Sequence, residues 1–218
     1  MGTPSSAAAV RRRYGWVASI YDWANLEGML YAPARARAIE LLDLEPGARV
    51  LDVACGTGAN FTIIEEHIGP AGRLVGVDLT AEMLDRARAR VARSGWTNVD
   101  LVQADVSTAL VALGDDEPFD AAVCTLALSV IPQWEDAWDA MRTAVRPGGR
   151  VAVMDAGHPE RPRQAAYARP FAWTLSQLFA ADCRRRPWRL LQRDAGDVTT
   201  ERFTLGWVTA AAGTTRAR

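Results

Sequence analysis

An open α/β sheet of mostly parallel strands, wound by helices on both faces, is predicted by three features of this chain. Short apolar runs at Val50–Val53, Leu74–Val77, Val99–Gln103, Phe119–Cys124 and Arg150–Met154 alternate with stretches whose apolar residues recur at helical spacing. The first of these runs enters a glycine turn, Cys55-Gly56-Thr57-Gly58, with Phe61, Ile64 and Ile68 on one helical face beyond it. Strand, helix, strand repeated in this order leaves parallel strands joined by helical crossovers, the doubly wound arrangement.

Taken in order, residues 1–12 are predicted to be disordered and 13–45 to form N-terminal cap helices. Tyr14, Val17 and Tyr21 share one helical face with Trp16, Ile20 and Trp23 nearby, and Ala34–Leu42 reads as a helix ended by Glu45-Pro46-Gly47. The second strand closes on Asp78, with Thr80 placed to cap the helix carrying Met83, Leu84, Ala87 and Val91. Ala104-Asp105-Val106 follows the third strand, and Gly114–Pro118 is an acidic surface turn. Thr125-Leu126-Ala127-Leu128 leaves the fourth strand at the edge where such sheets bind ligands. Trp134, Trp138, Met141 and Val145 form a helical stripe, and Arg146-Pro147-Gly148-Gly149 reads as a turn into the fifth strand. After Asp155-Ala156-Gly157-His158 the pattern changes. Tyr167, Phe171, Leu175, Leu178 and Phe179 describe an amphipathic helix, Leu190–Val198 is weakly strand-like, and Phe203–Val208 alternates as a final antiparallel strand. No internal repeat divides the 218 residues, so one domain is expected.

Composition narrows the function. A formal charge of −1 gives no global field for nucleic acid. All 25 basic residues are arginine, which excludes lysine chemistry, and residues 159–193 carry eight of them against Glu160 and Asp182. Cys55, Cys124 and Cys183 show no CxxC or Cys/His grouping, so no metal is expected and the thiols read as free in a reducing cytoplasm. No apolar run approaches the roughly 20 residues that span a bilayer.

The chemistry concentrates at Asp52-Val53-Ala54-Cys55-Gly56-Thr57-Gly58. A strand, a tight glycine turn and a helix start present unpaired N–H groups to a negative ligand group. A dinucleotide fingerprint requires a third glycine where Phe61 stands, and Asp52 sits more naturally beside a cation than beside a pyrophosphate. This segment resembles the first motif of the class I S-adenosylmethionine-dependent methyltransferases, and among them the quinone-biosynthesis C-methyltransferase and phospholipid N-methyltransferase group. Ala54 takes the place of the first of three alternating glycines. The resemblance is strong over residues 14–158, moderate at the last strand and weak across 159–198. It implies a Rossmann-like class I methyltransferase fold, a seven-stranded mostly parallel sheet with an antiparallel last strand, and S-adenosyl-L-methionine as cofactor.

Asp78, 20 residues beyond Gly58, stands where an acid accepts both ribose hydroxyls. The resemblance places Asp105 at the adenine amino group, Met83 against the adenine, and Tyr21 on a segment closing over the cofactor. Asp52, Ala54, Gly56, Gly58, Leu79, Val106 and Thr125 complete the expected cofactor-binding set. Methyl transfer from a sulfonium needs mainly alignment. Should a base be required, His158 comes first because it follows the fifth strand and titrates near neutrality, with Tyr21, Tyr14 and Asp155 behind it; His67, at a helix end, reads as structural. The expected acceptor is a small molecule or a lipid-like compound methylated at nitrogen or carbon rather than oxygen. Residues 159–198 would form its lid, and their basic, aromatic character also suits peripheral contact with an anionic membrane. Two other functions stay open at this point: a nicotinamide-dependent oxidoreductase, and a non-catalytic adenosylmethionine-binding module. Oligomeric state is left undetermined.

Overall fold

The structure, a computed structural model, describes residues 30–107, 117–159 and 181–216. In chain order these form α1 (Ala32–Glu40), β1 (Arg49–Val53), α2 (Phe61–Ile68), β2 (Arg73–Asp78), α3 (Ala81–Ser94), β3 (Val99–Gln103), β4 (Phe119–Thr125), α4 (Trp134–Ala144), β5 (Val145–Ala156), α5 (Trp188–Asp194), β6 (Ala195–Phe203) and β7 (Val208–Thr215). The seven strands make one sheet in the order β3-β2-β1-β4-β5-β7-β6. Neighbours from β3 to β5 are parallel, and β7 runs antiparallel to both β5 and β6. The doubly wound sheet with an antiparallel last strand is therefore present.

β1 and β4 occupy the centre and are buried on both faces, which is why their sequences run apolar without alternation. One core layer sets Ala34, Ala38 and Ile39 of α1 and Phe61, Ile64 and Ile68 of α2 against Val50, Val123, Ala152 and Ala210. The other sets Trp138 and Met141 of α4 and Trp188, Leu190 and Leu191 of α5 against Leu51, Val53, Val151 and Ala211. Residues 50 and 51, or 210 and 211, face opposite layers, as the period of two in a strand requires.

Three expectations are corrected. Val145 opens β5 instead of ending the α4 stripe, and the predicted turn at residues 146–149 is a bulge within that strand. Pairing moves there from Phe119–Val145 to Ala121–Arg150, and Gly148 takes φ +77°. Leu190–Val198 is the second half of a helix followed by the start of β6, and α5 packs its apolar face on the sheet. The last strand is Val208–Thr215. The alternation at 203–208 is interrupted by a turn in which Leu205, 81% exposed, has φ +54°. β7 escaped the sequence reading because Thr209-Ala210-Ala211-Ala212-Gly213 is small and buried on both faces, leaving neither β-branched bulk nor alternation to find. The predicted disorder at 1–12, the first cap helix, the turn at 114–116 and the helix at 167–179 lie outside the described residues, apart from Glu117 and Pro118 at that turn's end.

Candidate functional site

A cleft opens at the carboxyl ends of β1, β2 and β4, the place at which open α/β sheets take their ligands. It encloses about 980 Å³ counted out to its mouth. Its walls include Ala54, Cys55, Gly56 and Thr57 after β1, Asp78, Leu79, Thr80 and Met83 after β2, and Asp105 and Val106 after β3. The far wall is the segment Thr125–Ala127 and Val130–Gln133 after β4, and Arg35 reaches in from α1.

Of the predicted cofactor residues, Ala54, Gly56, Asp78, Leu79, Met83, Asp105, Val106 and Thr125 line this cleft. The two motif glycines divide the work. Gly56 has φ +56°, and a Cβ placed on it would meet nothing within 4 Å, so it leaves open space at the cleft wall. Gly58, φ +76°, does not line the cleft; a Cβ there would stand 2.6 Å from two ring carbons of Phe61. Its role is to let that fully buried ring pack against the turn. A Cβ at Gly76 would stand 3.0 Å from the same ring, so Phe61 fills the space between two glycines, and the third glycine of a dinucleotide fingerprint has no counterpart here. Ala54, in the first glycine's place, holds φ +54°, as Leu126 on the opposite wall holds φ +56°. Of the six described non-glycine residues with positive φ, these two sit at the cleft, where such strain is retained by the surrounding fold.

Asp78 ties the two turns together. One carboxylate oxygen accepts the Gly56 N–H at 2.9 Å and the other the Thr80 N–H at 2.8 Å. Burial pushes its pKa up while these bonds pull it down. Thr80 precedes α3 but makes no side-chain cap.

Asp52 lies directly beneath the cleft, fully buried and off its wall. Oδ1 accepts from Asn60 Nδ2 at 2.8 Å, while Oδ2 has no hydrogen-bond partner among the described residues. Burial raises its pKa to about 7 against the opposing hydrogen bond from Asn60 and the charge of Arg35. Asn60 stands at the start of α2, where asparagine usually caps the helix, yet its side chain turns away and links Asp52 to Arg35. Arg35, 7% exposed, donates from Nη1 to Asn60 Oδ1 at 2.6 Å and to Thr125 Oγ1 at 2.9 Å.

Arg35 was missed in the sequence. Its signal was present: it sits four residues before Ile39 and beside Ala34, on the face of α1 that should be apolar.

The wall after β4 is held from behind. Asp155, fully enclosed, accepts the Ser129 N–H at 2.8 Å, the Ser129 hydroxyl at 2.7 Å and the Ala156 N–H at 2.8 Å. Burial nevertheless raises its pKa to about 6. Arg185 donates to the carbonyls of Leu128, at 3.2 Å, and Ile131, and stacks over Trp134 at 5.7 Å. The Asp182 N–H adds a bond to the Ser129 carbonyl. Asp155 thus supports a wall and does not face the cleft.

His158 stands outside the cleft's lining. Its backbone N–H bonds the Cys183 carbonyl at 3.0 Å and its ring meets Trp207 edge-on at 6.0 Å. His67 bonds the Ile63 carbonyl, the structural position expected of it. Tyr14 and Tyr21 lie outside the described residues. Among the described residues no group of three or more His, Cys, Asp or Glu could hold a metal.

The cleft suits an adenosyl amino acid. The carboxylates of Asp78 and Asp105 stand at the β2 and β3 end, apolar Leu79, Met83 and Val106 line the same wall, and Gly56 leaves open space beside them. Beneath it lies the buried Asp52, whose Oδ2 has no hydrogen-bond partner among the described residues.

Comparison with known proteins agrees. A methyltransferase domain family matches residues 50–149. An arsenite methyltransferase of Halobacterium salinarum is 32% identical over 139 residues, which cover 64% of this chain but only 34% of that protein. A demethylmenaquinone methyltransferase of Listeria monocytogenes is 27% identical over 192 residues, covering 85% and 80%. A ubiquinone/menaquinone biosynthesis C-methyltransferase of Ectopseudomonas mendocina is 33% identical over 165 residues, covering 74% and 63%. Among solved structures, a SAM-dependent methyltransferase from Aquifex aeolicus superimposes with a TM-score of 0.63 at 15% identity, covering 92% of this chain and 98% of its own. With its strand order, its Asp52–Gly58 turn and these relatives in agreement, the chain belongs to the class I S-adenosylmethionine-dependent methyltransferases and takes S-adenosylmethionine as its cofactor.

Proposed function

We propose that this enzyme methylates a small or lipid-like acceptor at carbon or nitrogen, an electron-rich ring of the quinol type being the acceptor favoured by its relatives' names. The observation that carries the reading is the far wall. Leu126, Ala127, Val130, Ile131 and Pro132 are apolar, and the ionisable side chains among the described lining residues are Arg35, Cys55, Asp78 and Asp105. No histidine, tyrosine or lysine is among them to take a proton from a hydroxyl, and burial raises the Cys55 thiol well above its ordinary value. A nucleophile that is reactive without such help, a ring carbon or an amine, fits this wall better than an alcohol does.

The bound cofactor supplies a methyl group already activated by its sulfonium. The chain's own residues orient and exclude water. Asp78 and Asp105 anchor one end, Gly56 permits close approach, and the wall after β4 shields the reacting centre, so proximity accounts for most of the acceleration. No helix among the described residues is long and apolar enough to cross a membrane, and the apolar face of α5 is already spent on the sheet. Residues 160–180, more than half of the predicted lid at 159–198, lie outside the described residues.

Incubation with methyl-labelled S-adenosylmethionine and a panel of a short-chain demethylated naphthoquinol, a primary amine, a simple phenol and arsenite tests the proposal. Label on a ring carbon or a nitrogen is expected. Exclusive O-methyl product overturns the reading, and no turnover with any acceptor favours a module that only binds.

A further inference from the structure

We propose that Asp155 is the positioning residue for the methyl acceptor: it does not line the cleft, yet through Ser129 it sets which side chains the wall after β4 turns toward the acceptor. The inference rests on the acceptor reading above, which gives that wall to the acceptor, and adds the residue that governs it.

The wall is a turn that divides its residues between two directions. Ala127, Val130, Ile131 and Pro132 line the cleft. Leu128 and Ser129, between them, do not; they are 1% and 2% exposed, and Leu128 belongs to the core layer of α4 and α5. Within the turn the Val130 and Ile131 N–H groups share the Ala127 carbonyl, at 2.8 and 2.9 Å. Those bonds close the turn but leave its tilt against the sheet free.

Ser129 supplies the missing reference. Its N–H meets one Asp155 carboxylate oxygen at 2.8 Å and its hydroxyl the other at 2.7 Å, so one residue is gripped along two directions. The carboxylate is itself fixed, because the oxygen that takes the hydroxyl also accepts the Ala156 N–H at 2.8 Å. Asp155 pairs with Thr209 across β5 and β7, and Leu126, at the head of the wall, donates to the Met154 carbonyl beside it. Arg185 and Asp182 hold carbonyls of the same turn from a loop, whereas Asp155 refers the turn to the sheet. A buried carboxylate is costly where an apolar residue could pack, and it is retained here in a bonded network of the kind that specifies one geometry. The other rim has its own anchor, the bonds of Asp78 to the Gly56 and Thr80 N–H groups, on the far side of β1. Loosening Ser129 therefore falls on the acceptor before it falls on the cofactor.

The test follows two ligands in the wild-type chain, Asp155→Asn and Ser129→Ala. S-adenosylhomocysteine binding is measured by calorimetry. Binding of 1-naphthol, a flat ring standing in for the acceptor, is measured by equilibrium dialysis against the chain saturated with S-adenosylhomocysteine. Asp155→Asn, whose amide nitrogen cannot accept, is expected to weaken 1-naphthol by about 10-fold. Ser129→Ala keeps the N–H bond and should weaken it by about 3- to 5-fold. S-adenosylhomocysteine should shift by less than about 2-fold in either variant. The ratio of the two constants within each variant cancels any general loosening of the fold. Ser129→Ala removes one hydroxyl and keeps the test readable should Asp155→Asn fail to fold. Equal weakening of both ligands, or of neither, overturns the inference and leaves Asp155 a part of the fold alone. A wild-type chain that binds S-adenosylhomocysteine but not 1-naphthol overturns the ring-acceptor reading on which the inference rests.

Discussion

The two rims of the cleft are built in different ways. On the β1–β2 side the backbone makes the rim: Gly56 and Gly58 hold left-handed φ values, and Asp78 bonds across from one turn to the other. On the β4–β5 side a short, mostly apolar stretch, residues 126–133, makes turn hydrogen bonds to Ala127 and is supported by side chains behind it, Asp155 and Arg185. The first rim is fixed by local geometry that any change of residue strains. The second depends on residues distant in sequence, Asp155 at the end of β5 and Arg185 just before α5. A rim of the first kind suits a cofactor common to a whole family. One of the second kind can be remodelled for a new acceptor without disturbing the motif.

The largest expected effect comes from the first rim. Gly58→Val places a β-branched side chain at φ +76° with its Cβ 2.6 Å from the Phe61 ring. Strain and overpacking together should cost roughly 3–5 kcal/mol in urea unfolding. Gly56→Ala, with nothing near its Cβ, should lose only about 1–2 kcal/mol of stability but more than about 10-fold in S-adenosylhomocysteine affinity. Equal stability losses in the two variants would erase the division between them.

Asp78→Ala comes next. It should weaken cofactor binding by about 1.5–3 kcal/mol by calorimetry, the worth of charge-assisted bonds to the ribose. Because Gly56 and Thr80 N–H groups lose their acceptor as well, stability should fall too. Asp78→Asn, which retains an acceptor oxygen, separates the two losses; unchanged affinity in it would remove the carboxylate's charge from recognition.

On the second rim, Arg185→Gln should cost about 1–2 kcal/mol of stability and a few-fold in S-adenosylhomocysteine affinity, because two buried carbonyls lose a charged donor. Arg184→Gln, at an exposed position, should stay within about 0.5 kcal/mol of wild type. If the two arginines behave alike, the wall stands without Arg185. Treating Arg184, Arg185 and Arg186 as one solvated basic run, as their sequence suggests, would confound these roles.

The smallest effect distinguishes the layer beneath the cleft from its rims. Burial holds the Asp52 pKa at about 7 against an ordinary 3.8, so between those values the folded chain binds more protons than the unfolded one. The stability that Asp52 contributes is complete below about pH 4 and is lost as pH rises through about 7. Asp52→Asn cannot ionise and still accepts from Asn60. Relative to wild type its urea midpoint should therefore improve between pH ~5 and pH ~8. A constant difference across that range would mean that Asp52 is charged throughout.

The sequence made the first rim readable because its constraints are local. A left-handed turn asks for glycine, and an acid closing a strand at the ligand edge stands out among apolar neighbours, so Gly56 and Asp78 announce themselves as cleft residues. Gly58 was legible as a turn residue, but its neighbour was not, since Phe61's ring position depends on how α2 crosses Gly76. The second rim left little trace. Asp155 and Arg185 are 30 residues apart and meet the wall only in three dimensions. β7 was hidden for another reason: its alanines serve two helices at once, and small residues buried on both faces show no period.

The position of β7 also bears on how the chain is made. β6 hydrogen-bonds to β7 and to no other strand, yet the ribosome delivers β6 first. A nascent chain halted between Phe203 and Val208 would display two open edges, on β5 and β6, each able to recruit a neighbouring polypeptide. Helix α1, among the first described elements to emerge, must wait as well, because Ala34 and Ala38 share a cluster with Ala210 and Ala212. This side of the sheet therefore closes only after translation has passed Thr215, through contacts of long sequence separation that form slowly. Until then the cofactor cleft, built around strands made much earlier, stands beside an unfinished edge.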